Sequence, residues 1–218
     1  IVVSKNDLIT FESIEELQKS ILIQKTISPS SLGANIEETE EKIEIPFFKK
    51  ITRPNRSNLI GNAVHRALNI IAFDAQKEEI ELISKKCALR EGISEFSHTV
   101  SDLVSKALAV EIITKSTNHL REVPISGIIS GRLVEGYIDL IIETESGWII
   151  IDYKTDAIES KSALRSKVEK YENQLKTYAY LVSKSANLKV HGAAFLFLRA
   201  QNDGLVFVED IFEFDEKR

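Results

Sequence analysis

The stretch EGYIDLIIETESGWIIIDYKTD, residues 135–156, sets charges inside what is otherwise an apolar hairpin. Both arms are rich in Ile and aromatic residues, which suit a pleated, half-buried surface. A turn centred on Glu145–Ser146 places Asp139 directly opposite Asp152. Opposed side chains share a face, with Cβ atoms about 4.5–5.5 Å apart. Lys154 lies two residues beyond Asp152, so strand alternation puts it on that face as well. Ile138, Leu140, Ile149, Ile151 and Tyr153 are then expected on the other face, anchoring the hairpin on the core.

Two carboxylates that close repel unless a cation lies between them. The arrangement therefore reads in two ways. As an exposed strand-end ion pair it contributes about 0–1 kcal/mol and does nothing more. As a site, its oxygen ligands suit Mg²⁺ or Mn²⁺, which accept phosphate oxygens. Such a site is suited to phosphodiester hydrolysis, with the lysine orienting water or stabilising developing charge.

Beyond the hairpin, SKSALRSKVEKYENQLKTYAYLVSKS (160–185) has helical spacing, with Leu164, Val168, Tyr171, Leu175, Tyr178 and Val182 as its apolar stripe. VHGAAFLFLRA (190–200) and GLVFVEDIFEF (204–214) read as two further strands joined across QNDG. Upstream, REVPISGIISGRLV (121–134) supplies another strand with a Ser-Gly turn. Residues 57–73 form a helix capped at Ser57 or Asn58, with Ile60, Val64, Ala67, Leu68 and Ile71 on its apolar side. Helices continue over 76–118, broken near REGIS, and SIEELQKSILIQK (13–25) is also helical in period. The predicted class is mixed α/β (α+β), a central mixed sheet flanked by helices. An N-terminal helix and connector (1–56) leads into the main domain (57–218), whose 57–120 part is helical and 121–218 part is the sheet core.

Composition narrows the field. The chain has 218 residues, 43% hydrophobic and 28% charged, with a net charge of −5. Those proportions describe an ordinary globular protein with no membrane partner, since no apolar run approaches the ~20 residues of a span. The first residues lack the order of a signal peptide, and the cytoplasm is the expected location. One cysteine, Cys87, excludes an internal disulfide and an all-cysteine zinc or iron–sulfur site. The chain opens on Ile and contains no Met, as expected of a segment excised from a longer chain. The overall charge disfavours a protein that grips nucleic acid with its whole surface. Locally, however, Lys49, Lys50, Arg53, Arg56 and Arg66 lie in residues 46–73 without an acid. That strip either follows a phosphate backbone or is a solvated loop entering a helix. No G-x-x-x-x-G-K-[ST] phosphate loop is present.

GYIDLII…GWIIIDYKTD, preceded by GNAVHRAL and followed by QLKTY, resembles the RecB/AddA-type nuclease domain found at the C-terminus of UvrD-like helicase–nucleases, within the PD-(D/E)XK superfamily. The separate motifs occur in the family's order across about residues 57–200. The resemblance implies a restriction-endonuclease-like core, with His65, Asp139, Asp152 and the Tyr153 carbonyl as metal ligands. It makes Lys154 the catalytic lysine, acting with Asp152 and Asp139. Gln174 and Tyr178 match a Q-x-x-x-Y element that positions the site and the DNA strand, and their i, i+4 spacing puts both on one helical face. Each has a plain rival taken alone: His65 as a histidine beside the core, Gln174 and Tyr178 as helix surface, and Glu135 and Asp156 as solvated turn residues.

The implied activity is a Mg²⁺-dependent deoxyribonuclease, with Mn²⁺ able to substitute. It would process double-strand breaks for recombinational repair, acting on single-stranded or end-unwound DNA. The implied partners are UvrD-like helicase domains in the same native chain and a second helicase–nuclease subunit. Relatives with four cysteines hold an iron–sulfur cluster; this chain, with Cys87 alone, is expected to hold none. The alternative reading is a catalytically inactive module of the same fold that guides DNA or scaffolds a helicase complex. A third is a stand-alone nuclease cutting specific duplex sites or junctions.

Overall fold

The computed structural model describes residues 55–212 apart from 130, 186, 187, 202 and 203. The helix expected over 13–25, Lys49, Lys50, Arg53 and most of the 1–56 segment lie outside the described residues.

Helix α1 spans Arg56–Ile70 and buries Ile60, Gly61, Ala63, Val64, Ala67 and Leu68, one stripe at helical spacing. Its cap is Asn55 rather than Ser57 or Asn58: the Asn55 side chain accepts the Ser57 N–H, satisfying one of the helix's orphan donors. The last turn carries no basic residue. That role passes to Arg121, which donates to the carbonyls of Leu68 (2.9 Å) and Ile71 while stacking over Phe73 at 4.0 Å. Helix α2 (Lys77–Arg90) ends where Gly92 takes φ +73°, the left-handed conformation that the REGIS break demands. A 3₁₀ turn (Ser94–Phe96), α3 (Ser97–Leu108) and the short α4 (Glu111–Thr114) complete the helical half. No described helix is long and apolar enough to cross a membrane.

The sheet follows: β1 (His119–Ile129), β2 (Arg132–Thr144), β3 (Gly147–Ala157), then helix α5 (Lys161–Ser185), β4 (Val190–Arg199) and β5 (Leu205–Phe207). Strand order is β1-β2-β3-β4-β5. All neighbours are antiparallel except β3 and β4, which α5 joins by a crossover. Thr144 pairs with Gly147 and Leu140 with Ile151, the register that a turn at Glu145–Ser146 requires. A mixed sheet flanked by helices is the class the sequence predicts.

Two cores result. On one face, α1 to α4 pack on Leu140, Ile142, Ile149, Ile151, Tyr153, Leu196 and Leu198. On the other, α5 packs on Ile138, Ile141, Ile150, Phe195 and Phe197. β3 and β4 are thus covered on both sides, which explains their unbroken apolar runs.

Ile138 departs from the sequence reading, which sets it on the same face as Leu140. It belongs to the α5 side, while Leu140 belongs to the α1–α4 side. The neighbouring strand switches face at the same level. Val123 packs on the α5 side, whereas Arg121 reaches the end of α1. Between them Glu122 has φ +47°, and the register runs from Arg121–Leu140 to Val123–Ile138 without a Glu122–Asp139 pair. A local coil of both strands therefore replaces simple alternation at Asp139. Left-handed backbone at a non-glycine residue is rare enough to mark a place the fold holds deliberately.

Candidate active site

The coil at Asp139 changes where the charges meet. Asp139 turns toward α1: its Oδ1 lies 3.0 Å from His65 Nδ1, and its Oδ2 accepts the Tyr153 N–H at 2.8 Å. Asp152 and Lys154 project instead toward α5, where Lys154 Nζ donates to Gln174 Oε1 at 3.0 Å. The two aspartates and the lysine therefore do not share one face, as strict alternation predicts. They meet where β2 and β3 part beyond Leu140–Ile151, β2 staying paired with β1 and β3 with β4.

Each side chain is held by a separate element. His65 comes from α1, four residues after Gly61, and its ring lies edge-on to Tyr153 with centroids 5.9 Å apart. Gly61 lets α1 approach β3 closely, since a Cβ there would sit 2.9 Å from Thr155 Oγ1. Alanine can be accommodated by rotating Thr155, but a leucine has to lift the helix. Gly61→Leu is expected to weaken Mn²⁺ binding by at least tenfold in calorimetry while Gly61→Ala stays within about threefold, because only the former moves His65 away from Asp139. Equal binding by the two variants would show that α1 need not sit this close.

Asp152 is the buried member, 3% exposed. Burial pushes its carboxyl up to about 6, with Lys154 opposing the shift and the Asp139 charge adding to it. Lys154 Nζ lies 2.6 Å from Asp152 Oδ2. The pair is a close, buried, charge-assisted contact, and Lys154 is the partner of Oδ2. Burial works to lower the His65 pKa, but the charge and hydrogen bond of Asp139 outweigh it, and the imidazole is raised. Gln174 Nε2 donates to the Tyr178 hydroxyl at 3.2 Å, which fixes the amide so that Oε1 faces Lys154. Burial raises the Tyr178 phenol to about 12, so it stays protonated.

Of the basic strip, Arg56 is exposed at the start of α1. Arg66 is engaged, its Nε and Nη2 both donating to Glu91 Oε1 at 3.3 and 3.1 Å. Two acids near the site carry no motif in the sequence. Asp156, expected as a solvated turn residue, accepts hydrogen bonds from Lys167 and Tyr171. Glu122 feels the charges of Asp139 and His65, and burial raises its carboxyl. Glu135 is exposed.

The donor chemistry fits a hard divalent cation: two carboxylates, one of them buried and paired with a lysine, beside an imidazole. As the side chains are arranged, Asp139 is engaged by His65 and the Tyr153 N–H, and Asp152 by Lys154. Accordingly, no three His, Cys, Asp or Glu side chains among the described residues form a ready-made metal cluster.

A helix-borne histidine, two strand-borne acids and a lysine thus gather at the fork between β2 and β3. The chain belongs to the PD-(D/E)XK nuclease superfamily, whose family model matches residues 38–216. It is similar to the AddA-type subunit of the ATP-dependent helicase/nuclease of Listeria innocua, at 25% identity over 91% of this chain and 18% of that protein. The like-named protein of Staphylococcus epidermidis is 22% identical over 85% of this chain and 17% of its own length. The chain thus spans less than a fifth of these relatives, and its likeness to them is that of an AddA-type nuclease domain. Among solved structures, SSO0001 matches at 13% identity with a TM-score of 0.35, over 69% of this chain and 74% of its own.

Proposed function

We propose that this chain is the Mg²⁺-dependent deoxyribonuclease domain, exonucleolytic in character, of a helicase–nuclease that processes double-strand breaks for recombinational repair. The observation that carries the reading is the gathering of His65, Asp139, Asp152, Lys154 and Gln174 from α1, β2, β3 and α5 where β2 and β3 part. The relatives named as ATP-dependent helicase/nucleases support the context: UvrD-like motor domains in the native chain, and a second subunit, would deliver an unwound strand. External delivery suits a domain of net charge −5, which need not hold duplex tightly by itself. The segment 1–56 would then be the connector and 57–218 the nuclease unit, operating in the cytoplasm.

His65, Asp139, Asp152 and the Tyr153 carbonyl would hold the cation. When bound, Mg²⁺ supplies charge neutralisation at the phosphate and acidifies water, with Mn²⁺ as a substitute. The protein's own residues do the rest. Asp139 is fixed by the Tyr153 N–H, so its second oxygen is oriented toward His65 and the site. Lys154 places a positive charge where the pentavalent phosphate accumulates negative charge, or orients the attacking water. Gln174 and Tyr178 hold that amine and the strand beside it. Arg56 and the basic residues at 49–53, together with Arg66, would contact phosphates along the incoming strand. Asp152 would hold the cation from beside Lys154, and the amine, kept in place by Gln174, would face the substrate.

The test is digestion of an end-labelled single-stranded oligonucleotide. Cleavage is expected with Mg²⁺ or Mn²⁺ and none after EDTA, with Mn²⁺ binding detectable by calorimetry. Failure to bind Mn²⁺ and to cut, alongside retained DNA binding, would establish the inactive guiding module instead. Cleavage confined to specific duplex sites or junctions would point to a stand-alone nuclease.

A further inference from the structure

The geometry points to Tyr171 as a positioning residue that holds Lys154 for the nuclease reaction, a role resting on the function proposed above. Tyr171 lies on α5 three residues before Gln174, hence on the same helical face. Its ring centroid is 4.4 Å from Lys154 Nζ, within cation–π range, and the Phe195 ring stands 5.6 Å from the same nitrogen. The amine is therefore bounded by an acid (Asp152 Oδ2, 2.6 Å), an amide (Gln174 Oε1, 3.0 Å) and an aromatic face. Of these, only the ring attracts the charge without taking an N–H along a fixed line. An ammonium group has three donors. Asp152 and Gln174 take one each and the ring consumes none outright, so one donor remains for a phosphate oxygen or water.

The ring is fixed from its far end. The Tyr171 hydroxyl lies 3.4 Å from both Asp156 oxygens, and Lys167 Nζ holds Asp156 Oδ1. Tyr171 also packs on Phe195, with ring centroids 6.1 Å apart. A support line thus runs Lys167–Asp156–Tyr171–Lys154, from the surface to the reacting group. Without the ring, the lysine loses the wall that stops it from swinging off Gln174. Lysine has a long, freely rotating stem, and placement error at a reacting group lowers rate rather than binding.

The experiment compares Tyr171→Leu and Tyr171→Phe in the 218-residue protein. It reads kcat and KM on a single-stranded oligonucleotide in Mg²⁺, and the ring-current shift of the Lys154 ε-methylene protons by NMR without metal. Tyr171→Leu is expected to lower kcat about tenfold with KM within about twofold, and to reduce the upfield shift to what Phe195 alone gives. Tyr171→Phe, which keeps the ring but loses the hydroxyl's tie to Asp156, is expected to stay within about threefold of the wild-type rate and to keep most of the shift. Wild-type kcat in the Leu variant overturns the role, as does a Phe variant as slow as the Leu variant. If the Leu variant does not fold, Asp156→Asn loosens the ring without removing it. That change is expected to cost about threefold in kcat and to weaken the Lys154 shift, and no change in either overturns the role. An unshifted Lys154 signal in the wild-type protein also overturns the positioning role, whatever the activity. A shifted signal in a wild-type protein that cuts no DNA overturns the nuclease reading instead.

Discussion

Lys154→Ala is expected to lower kcat for single-strand cleavage by about 10²–10³-fold while Mn²⁺ affinity changes little. Asp152→Ala is expected to remove both cleavage and most Mn²⁺ binding. The magnitude for lysine is that of removing one preorganised charge aimed at a transition state. The contrast between the variants is the informative part, because Lys154 touches the cation site only through Asp152. Removing the amine leaves the carboxylates and His65 in place, whereas removing Asp152 deletes the buried carboxylate of the proposed ligand set. Oligonucleotide digestion and calorimetry on the same preparations check both statements. Robust cleavage by Asp152→Ala would end the metal-hydrolase reading, and lost metal binding in Lys154→Ala would make the lysine structural.

A comparable loss is expected in stability. Phe197 is fully buried on β4 in the α5-side core, paired across the parallel ladder with Lys154. Phe197→Ala removes a large ring from a close-packed interior and is expected to cost about 3–5 kcal/mol. For a chain of this size that lowers the unfolding midpoint by on the order of 10 °C. Leu89, exposed on α2, serves as the control, and Leu89→Ala is expected to stay within about 0.5 kcal/mol. Urea denaturation of the two variants measures the difference. A Phe197→Ala loss as small as that of Leu89→Ala would mean that the β4 interior relaxes around the void.

The hairpin register is legible in the sequence because one turn, ahead of Gly147, fixes every pair up to Leu140–Ile151. Helix α1 is legible from its apolar spacing, and only its cap is displaced, since Asn55, Ser57 and Asn58 are all competent N-caps and local sequence does not rank them. The coil at Glu122–Asp139 is not legible. Alternation assumes a uniform strand, and a glutamate carries no mark of left-handed backbone. Alternation therefore puts Ile138 on the wrong side of the sheet. Of the proposed site, His65, Asp139, Lys154, Gln174 and Tyr178 can be named from motif order, and in the fold they contact one another in pairs. Tyr171 is legible only as an apolar position in a helical stripe, because a ring facing an amine and a ring facing a leucine have the same period. Asp156 reads as solvated for a related reason: its partners, Lys167 and Tyr171, are more than ten residues away.

The kink at Glu122 bears on more than the direction of Asp139. β1 is an outer strand of the described sheet, eleven residues long, and a long straight border of unused backbone groups invites other chains to stack on it. Here the border is bent at Glu122, and two residues on Pro124 offers no amide hydrogen. The irregularity that aims a carboxylate inward thus also makes the outer border a poorer template for another strand.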